Sequence, residues 1–291
     1  MQITKKRSFG TLLQGFFLLG HPGPVGFHLL AVTLFALLAT WPYVVWLTLL
    51  LVVGAHTAMQ LAIAVLNDYC DRKLDSVGKP HKPIPQGLVT PREALIAGCL
   101  MIVLMALQLL ALPPLAWLLS LLYLTLGMAY NLKLKATPLS GLVFALAMPL
   151  IPLYAFAGMG HSLPFLIWLI PVGFLLGVAL NLANSLPDLE ADAASGARTL
   201  AVVLGLKYAF FTCNLLLVLS VLLILALHFT RVLLIQSQVL FGTLALVGLL
   251  FVVLLFYTRA GKVQTTRKTY FYLVTLICIV LAGGWLIGAL I

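Results

Sequence analysis

The sequence predicts an all-α, polytopic membrane protein. Of its 291 residues, 63% are hydrophobic and 8% are charged, whereas roughly 25% of the residues of an average soluble domain are charged. Apolar stretches follow one another along almost the whole chain, and the polar connections between them are short. We therefore expect a single membrane domain, residues 1–291, without a cleaved signal peptide at its start.

Nine of these stretches reach the length of about 17 mostly apolar residues that a membrane-spanning helix needs. The expected spans are residues 24–40, 43–66, 94–112, 115–131, 138–158, 164–186, 207–229, 232–257 and 270–290. The connections after the second and sixth spans are longer than the others. Long loops in a compact protein are usually functional, so these two connections are the first places to look for a site.

The basic residues predict the orientation of the chain. If the N-terminus is cytoplasmic, all of the 17 Lys and Arg residues except Arg231 fall on the cytoplasmic side. Because positive charge favours that side, we expect a cytoplasmic N-terminus and a C-terminus on the opposite face. The net charge of +10 then reflects topology and contact with membrane lipids, and nucleic acid is not an expected partner.

The negative charge is concentrated in two short windows. The first acidic window, Asn67–Asp75, follows the second span and has the pattern N-D-x-x-D-x-x-x-D. The second, Asn184–Asp192, follows the sixth span and repeats that spacing with Ser185 in the place of Asp68. Glu93 is the one acidic residue outside the windows. The shared spacing and topological position predict an internal duplication of a four-helix unit, with chance recurrence as the alternative.

The spacing of the first window suits a divalent cation. If the second span continues as a helix, Asp68, Asp71 and Asp75 fall within an arc of about 60°. Carboxylates held this close repel one another unless cations lie between them. Mg²⁺ binds through one or two carboxylates and completes its shell with water and phosphate.

The second window has the same chemistry and a less regular backbone. Asn184, Asp188 and Asp192 share a helical face by spacing, although Pro187 is expected to kink or restart the helix.

Basic residues follow both windows. Lys79 and Lys82 lie in a proline-rich loop after the first, and Arg198 follows the second. Each of them alone is explained as a topology signal. Carboxylates, a metal ion and cations together describe a polyanion site, for which a diphosphate is the natural ligand.

These residues resemble the motifs of the UbiA-type intramembrane prenyltransferases. The first window and the following K-P-H-K-P-I-P-Q-G resemble that family's first aspartate motif and its tail. The pattern D-x-x-x-D-x-x-x-G-x-R-T, which begins at Asp188, resembles the second motif. The segment Tyr130–Lys135 lies where the family has a tyrosine-to-lysine motif, with a shifted spacing.

The resemblance implies the transfer of a polyprenyl group from its diphosphate to an acceptor, commonly aromatic, at the cytoplasmic face, in quinone, pigment or lipid biosynthesis. It implies a helix bundle with a central cavity open to the cytoplasmic side and Mg²⁺ as the cofactor. The implied ligands of the metal are Asn67, Asp68, Asp71, Asp75, Asn184, Asp188 and Asp192. The implied diphosphate contacts are Lys79, Lys82 and Arg198, and the implied catalytic residues are Asp71, Asp188, Tyr130, Lys133 and Lys135.

The chain departs from the family pattern at several places. Ser185 stands where many members have an acid, and His21 precedes Pro22 where Arg-Pro is common. Lysines replace arginines at 79 and 82, which removes bidentate hydrogen bonding to phosphate.

A secondary transporter that uses carboxylates as ion ligands is the alternative function. Acidic residues of transporters typically lie near the bilayer midplane. Here the mid-span positions carry only scattered His56, Gln60 and Gln108, while the acids lie at the ends of spans. Prenyl transfer is therefore favoured, with a benzoate, naphthoate, chlorin, glycerophosphate or sugar phosphate all open as acceptors.

Overall fold

The structure, a computed structural model, describes residues 8–161, 164–260 and 263–290. In these three ranges the chain is helical and contains no strand. Nine helices of the described chain are long and apolar enough to cross a membrane. The predicted all-α class and the nine spans are confirmed.

Eleven α-helices make up the described part of the chain. They are α1 (Phe9–Leu19), α2 (Pro22–Thr40), α3 (Trp46–Gly78), α4 (Pro91–Leu109), α5 (Pro114–Leu132), α6 (Ser140–Gly158), α7 (Leu169–Ser185), α8 (Leu189–Ala194), α9 (Leu200–Phe229), α10 (Ser237–Ala260) and α11 (Gln264–Leu290). Short 3₁₀ turns occupy Leu134–Ala136, Pro164–Trp168 and Leu186–Asp188. Helix α1, whose 11 residues are too few for a span, was not predicted.

The chain divides into two compact units. Among the described residues, unit 1 comprises residues 8–132 and 154–161, and unit 2 comprises residues 133–153, 164–260 and 263–290. The predicted duplication of a four-helix unit stays a prediction.

Helix α3 is the centre of unit 1, where it packs against α2, α4 and α5. Small residues allow the close approach of its neighbours. A Cβ atom at Gly98 of α4 would come within 2.6 Å of the Leu66 side chain, and one at Gly127 of α5 within 2.6 Å of Ile63. The Asn131 side-chain amide adds a hydrogen bond of 2.8 Å to the Ile63 carbonyl oxygen.

The sequence suggested that the polar mid-span residues of α3 are scattered, but in the structure they belong to a cluster. The His56 ring lies 5.7 Å from the ring of His28 and 5.5 Å from that of Tyr123, measured between centroids. The Gln60 amide nitrogen is 3.3 Å from His56 Nε2. These residues come from three helices, α2, α3 and α5, and their proximity is not visible in the linear order of the sequence. The cluster consists of imidazole, amide and phenol groups rather than the carboxylates of the transporter hypothesis.

In unit 2, helix α7 packs against α9 and α11, and α10 packs against α11. A Cβ atom at Gly177 of α7 would lie 2.7 Å from the backbone of Ala145, so that only glycine permits this approach to α6. The packing places the end of α7, which carries the second acidic window, next to the start of α11.

The orientation of the chain and the side to which a cavity opens stay predictions. Four of the basic residues that support the predicted orientation, Lys5, Lys6, Arg7 and Lys262, lie outside the described residues.

Candidate active site

The first acidic window lies on the last turns of α3. This helix continues without interruption to Gly78, as the spacing argument required. Its 33 residues give a length of about 50 Å, which exceeds the roughly 30 Å hydrocarbon core. The helix therefore extends beyond the apolar layer, and the window lies in its terminal part. Asp68 and Asp75 are buried there, with 2% and 5% of their surfaces exposed.

Lys82 bridges these two aspartates. Its Nζ atom donates hydrogen bonds of 2.8 Å to Asp68 Oδ1 and of 2.8 Å to Asp75 Oδ2. The loop folds back to bring the lysine there, with turn bonds such as Gln86 N–H to the Lys82 carbonyl at 3.0 Å. It then turns at Gly87, whose φ of 74° suits glycine.

The electrostatic setting keeps Lys82 charged. Burial alone would lower the pKa of its ammonium group. The hydrogen bonds and negative charges of Asp68 and Asp75 outweigh burial and raise the pKa above its usual value. The lysine is therefore protonated at neutral pH, and both ion pairs are intact.

His21 is a third partner of this group, and the sequence did not predict its contact. Its Nε2 atom lies 3.1 Å from Asp68 Oδ1. His21 precedes α2 with φ 46° and ψ 65°, a left-handed conformation that is unusual for a residue other than glycine. Pro22 disfavours a right-handed helical conformation at this position. Strained residues of this kind occur often at functional sites.

The carboxylates fit a divalent cation. Asp68 Oδ2 is buried and has no hydrogen-bond partner, although a buried acceptor without a partner costs about 1–3 kcal/mol. Within the described ranges, no three His, Cys, Asp or Glu side chains are grouped as a complete metal site. Mg²⁺ does not require one, because water and phosphate oxygens complete its coordination. Asn67 and Asp71 are half-buried on the same helix, and Lys79 is exposed at its C-cap.

The second acidic window lies on a broken helix. Helix α7 ends at Ser185, a 3₁₀ turn follows over Leu186–Asp188, and α8 begins at Leu189. The expected restart at Pro187 is confirmed. Because of this break, the window does not form one continuous helical face.

The side chains of the second window differ in exposure. Asp188 and Asp192 are half-buried, whereas Asn184 is exposed. The Ser185 hydroxyl donates a hydrogen bond of 3.0 Å to the Asn181 carbonyl oxygen within its own helix. This position therefore supplies a local backbone contact where the first window supplies an acid.

Arg198 brings the loop after the second window next to the tyrosine-to-lysine segment. Its backbone N–H donates a hydrogen bond of 2.9 Å to the carbonyl oxygen of Ala136, which follows Lys135 in the Leu134–Ala136 turn. Lys135 is half-buried, while Lys133 and the side chain of Arg198 are exposed. Tyr130, at the end of α5, is half-buried.

Arg267 contacts the second acidic window, although the sequence analysis used it only as evidence for the orientation of the chain. Its guanidinium group lies at the helix break of the second window, where it bonds to Leu186 and Glu190.

Glu93, the acid outside the windows, has a structural role. It closes a capping box with Thr90 at the start of α4.

Comparison with known proteins identifies relatives. A sequence model of the UbiA prenyltransferase family matches residues 29–277. A digeranylgeranylglyceryl phosphate synthase of Methanothrix thermoacetophila is 30% identical over 190 residues, 62% of this chain and 66% of that protein. A 4-hydroxybenzoate octaprenyltransferase of Neisseria meningitidis is 33% identical over 187 residues, 58% of this chain and 62% of that protein. These matches cover less than two thirds of either relative.

Solved structures share the fold. A structure of digeranylgeranylglyceryl phosphate synthase superposes with a TM-score of 0.74 at 18% identity, covering 96% of this chain and 99% of that one. A UbiA homologue from Archaeoglobus fulgidus bound to DMAPP and Mg²⁺ superposes with a TM-score of 0.69 at 20% identity, covering 93% and 97%. The family match spans most of the sequence, and the chain belongs to the UbiA prenyltransferase family.

Proposed function

We propose that this protein is a Mg²⁺-dependent prenyltransferase. It transfers a polyprenyl group from a polyprenyl diphosphate to a small-molecule acceptor at the cytoplasmic membrane face. The observation that carries the proposal is the Asp68–Lys82–Asp75 group, in which Asp68 keeps a buried oxygen without a partner. A. fulgidus homologues bound to DMAPP and Mg²⁺ and to GPP and Mg²⁺ support the choice of donor and ion.

Both windows are proposed to hold the ion and the diphosphate. The proposed ligands are Asn67, Asp68, Asp71, Asp75, Asn184, Asp188 and Asp192. When bound, Mg²⁺ supplies positive charge that offsets the charge of the departing diphosphate.

The basic residues of the site bind the phosphate oxygens. Lys82 already lies at the carboxylates, and its flexible stem lets the ammonium donate to a phosphate oxygen as well. Lys79 and Arg198 add hydrogen-bond donors from the two loops.

In the chemical step, the bond between the first prenyl carbon and the diphosphate oxygen breaks, and its electron pair leaves with the diphosphate. The acceptor attacks the allylic carbon and afterwards loses a proton. The donors around the diphosphate stabilise charge that develops as this bond breaks. Tyr130, Lys133 and Lys135 are proposed to act at the reacting groups. Lys135 is the preferred lysine, because it is half-buried and adjoins the residue that bonds to Arg198.

The acceptor is proposed to be aromatic or a glycerol phosphate derivative. The names of the relatives include both a hydroxybenzoate prenyltransferase and a glyceryl phosphate synthase. Incubating the purified protein with several polyprenyl diphosphates and a panel of both acceptor classes, with product mass as the readout, decides between them.

Two substitutions test the reaction itself. We expect Asp71→Ala and Asp188→Ala each to abolish Mg²⁺-dependent product formation. Glu93→Gln is the matched control, because glutamine also closes a capping box and Glu93 lies outside both windows. Full activity in either aspartate variant, or activity that persists in EDTA, contradicts the proposal. Ion flux in protein-containing liposomes without product formation supports the transporter alternative.

A further inference from the structure

The break in the helix at the second acidic window is bridged by one side chain from a distant part of the sequence. Arg267, in the first turn of α11, is 4% exposed. Its Nη1 atom donates hydrogen bonds of 3.2 Å to the Leu186 carbonyl oxygen and of 2.7 Å to Glu190 Oε2. The two acceptors stand on opposite sides of Pro187.

The first of these bonds adds a second donor at the helix break, because the Leu186 carbonyl oxygen already accepts a hydrogen bond from the Leu189 N–H within the 3₁₀ turn. Pro187 has no N–H, so the regular hydrogen-bond pattern of α7 is interrupted at this point. Leu186 is fully buried, whereas Pro187 and Asp188 of the same turn are half-buried. A cationic donor at a helix C-terminus also interacts favourably with the helix dipole. Arg267 therefore stabilises the position at which the chain leaves α7.

The second bond fixes the segment after the break. Glu190 lies in the first turn of α8, and its carboxylate is engaged by the buried guanidinium although 68% of its side chain is exposed. Glu190 lies inside the window, but its carboxylate is the counterion of Arg267. A buried charge is costly unless it is paired, and Glu190 provides that pairing.

Asp188 lies between the two points that Arg267 holds. The planar guanidinium group presents donors in a rigid arrangement, so the bonds constrain the turn more than a lysine would. The packing of α11 against both α7 and this turn keeps Arg267 in place.

We propose that Arg267 and Glu190 are positioning residues for the second acidic window. They hold Asp188 in the orientation needed to bind the Mg²⁺–diphosphate group, without contacting that group themselves. This inference rests on the proposed function and extends it to residues outside the aspartate motifs. Residues that orient the ligands of a metal typically affect its affinity by 10–100-fold.

The test uses four full-length variants. Arg267→Met removes both hydrogen bonds, Arg267→Lys keeps the charge, and Glu190→Gln keeps a neutral acceptor. Lys268→Gln is the control, because Lys268 is the exposed neighbour on the same helix and loses the same charge. Binding is measured as thermal stabilisation by Mg²⁺ with inorganic pyrophosphate, and activity as separate kcat and KM values for geranylgeranyl diphosphate.

We expect Arg267→Met to weaken the apparent Mg²⁺–pyrophosphate affinity about 10-fold or more and to raise KM. Arg267→Lys should recover part of this loss, Glu190→Gln should show a smaller loss, and Lys268→Gln should match the wild type. A lower melting temperature with unchanged affinity and KM in Arg267→Met overturns the inference, because the role is then only structural. If Arg267→Met does not fold, unchanged affinity in both Arg267→Lys and Glu190→Gln overturns it. If the wild type shows no Mg²⁺-dependent binding, the proposed function fails, which is a separate outcome.

Discussion

Lys82 determines how the first acidic window tolerates its own negative charge. Its ammonium group bridges Asp68 and Asp75, so Lys82→Met leaves two buried carboxylates beside each other. Breaking a buried ion pair costs about 3 kcal/mol or more. We expect the variant to lose roughly that stability in EDTA and to regain part of it when Mg²⁺ is added, because the cation restores the missing charge.

Thermal unfolding of the wild type and Lys82→Met, each in EDTA and in Mg²⁺, measures this effect. Lys82→Arg, which keeps the charge, should remain close to the wild type. Equal melting temperatures of wild type and Lys82→Met in EDTA would show that the bridge does not contribute to stability.

The backbone strain at His21 can be separated from its contact with Asp68. His21→Gly and His21→Ala both remove the imidazole, but only glycine adopts φ 46° without steric cost. We expect the glycine variant to be more stable than the alanine variant by about 1 kcal/mol, measured by denaturant or thermal unfolding in the same detergent. An alanine variant at least as stable as the glycine variant would exclude strain at this residue.

For individual residues, the sequence predicted which side chains belong to the site better than it predicted which side chains touch one another. Asp68, Asp75 and Lys82 were predicted site residues, and the structure brings these three together. The contact of His21 with Asp68 spans 47 residues, and that of Arg267 with Leu186 spans 81. Such contacts depend on how helices pack, which a local motif does not encode. Both residues were visible as basic groups beside a helix-breaking proline or at a helix start, but that signal is common.

At the scale of elements, hydropathy located the spans and missed where several helices end. It predicted a span from residue 207, which agrees with the long part of α9 after the kink at Gly205, where φ 71° and ψ 164° are not helical; the short helical segment that begins at Leu200 before this kink was missed. Hydropathy detects the apolar core, whereas helix ends outside that core depend on caps such as Thr199, which accepts from the Val202 N–H at 3.3 Å. Helix α1 was missed because its 11 residues fall below the length of a span.

Gly205 is expected to be required for the bend at the start of α9. Its conformation is accessible essentially only to glycine, so Gly205→Ala should lower stability by about 2 kcal/mol. Gly242→Ala is the control, because it lies in α10 with open space around its Cβ position. That change should be neutral or stabilising by up to about 1 kcal/mol. Equal effects of the two substitutions on the melting temperature would contradict the assignment of strain to residue 205.

At the scale of the whole molecule, the distribution of charge predicts which membrane face carries the site. The basic residues favour a cytoplasmic location for the connections after the even-numbered spans. Both acidic windows adjoin those connections, so the donor diphosphate is expected to bind from the cytoplasm. A charged diphosphate crosses a bilayer poorly, and the orientation of the chain therefore decides which pool of donor the protein can use.

Cysteine labelling in intact and permeabilised cells tests this orientation. In a background without the four native cysteines, Ser76→Cys marks the exposed end of α3 and Arg231→Cys marks the connection between α9 and α10. We expect a membrane-impermeant maleimide to label Arg231→Cys in intact cells and Ser76→Cys only after permeabilisation. The reverse pattern would place the acidic windows outside the cytoplasm. It would also require an external supply of the donor, because the same side chains would then face away from the cytoplasmic pool.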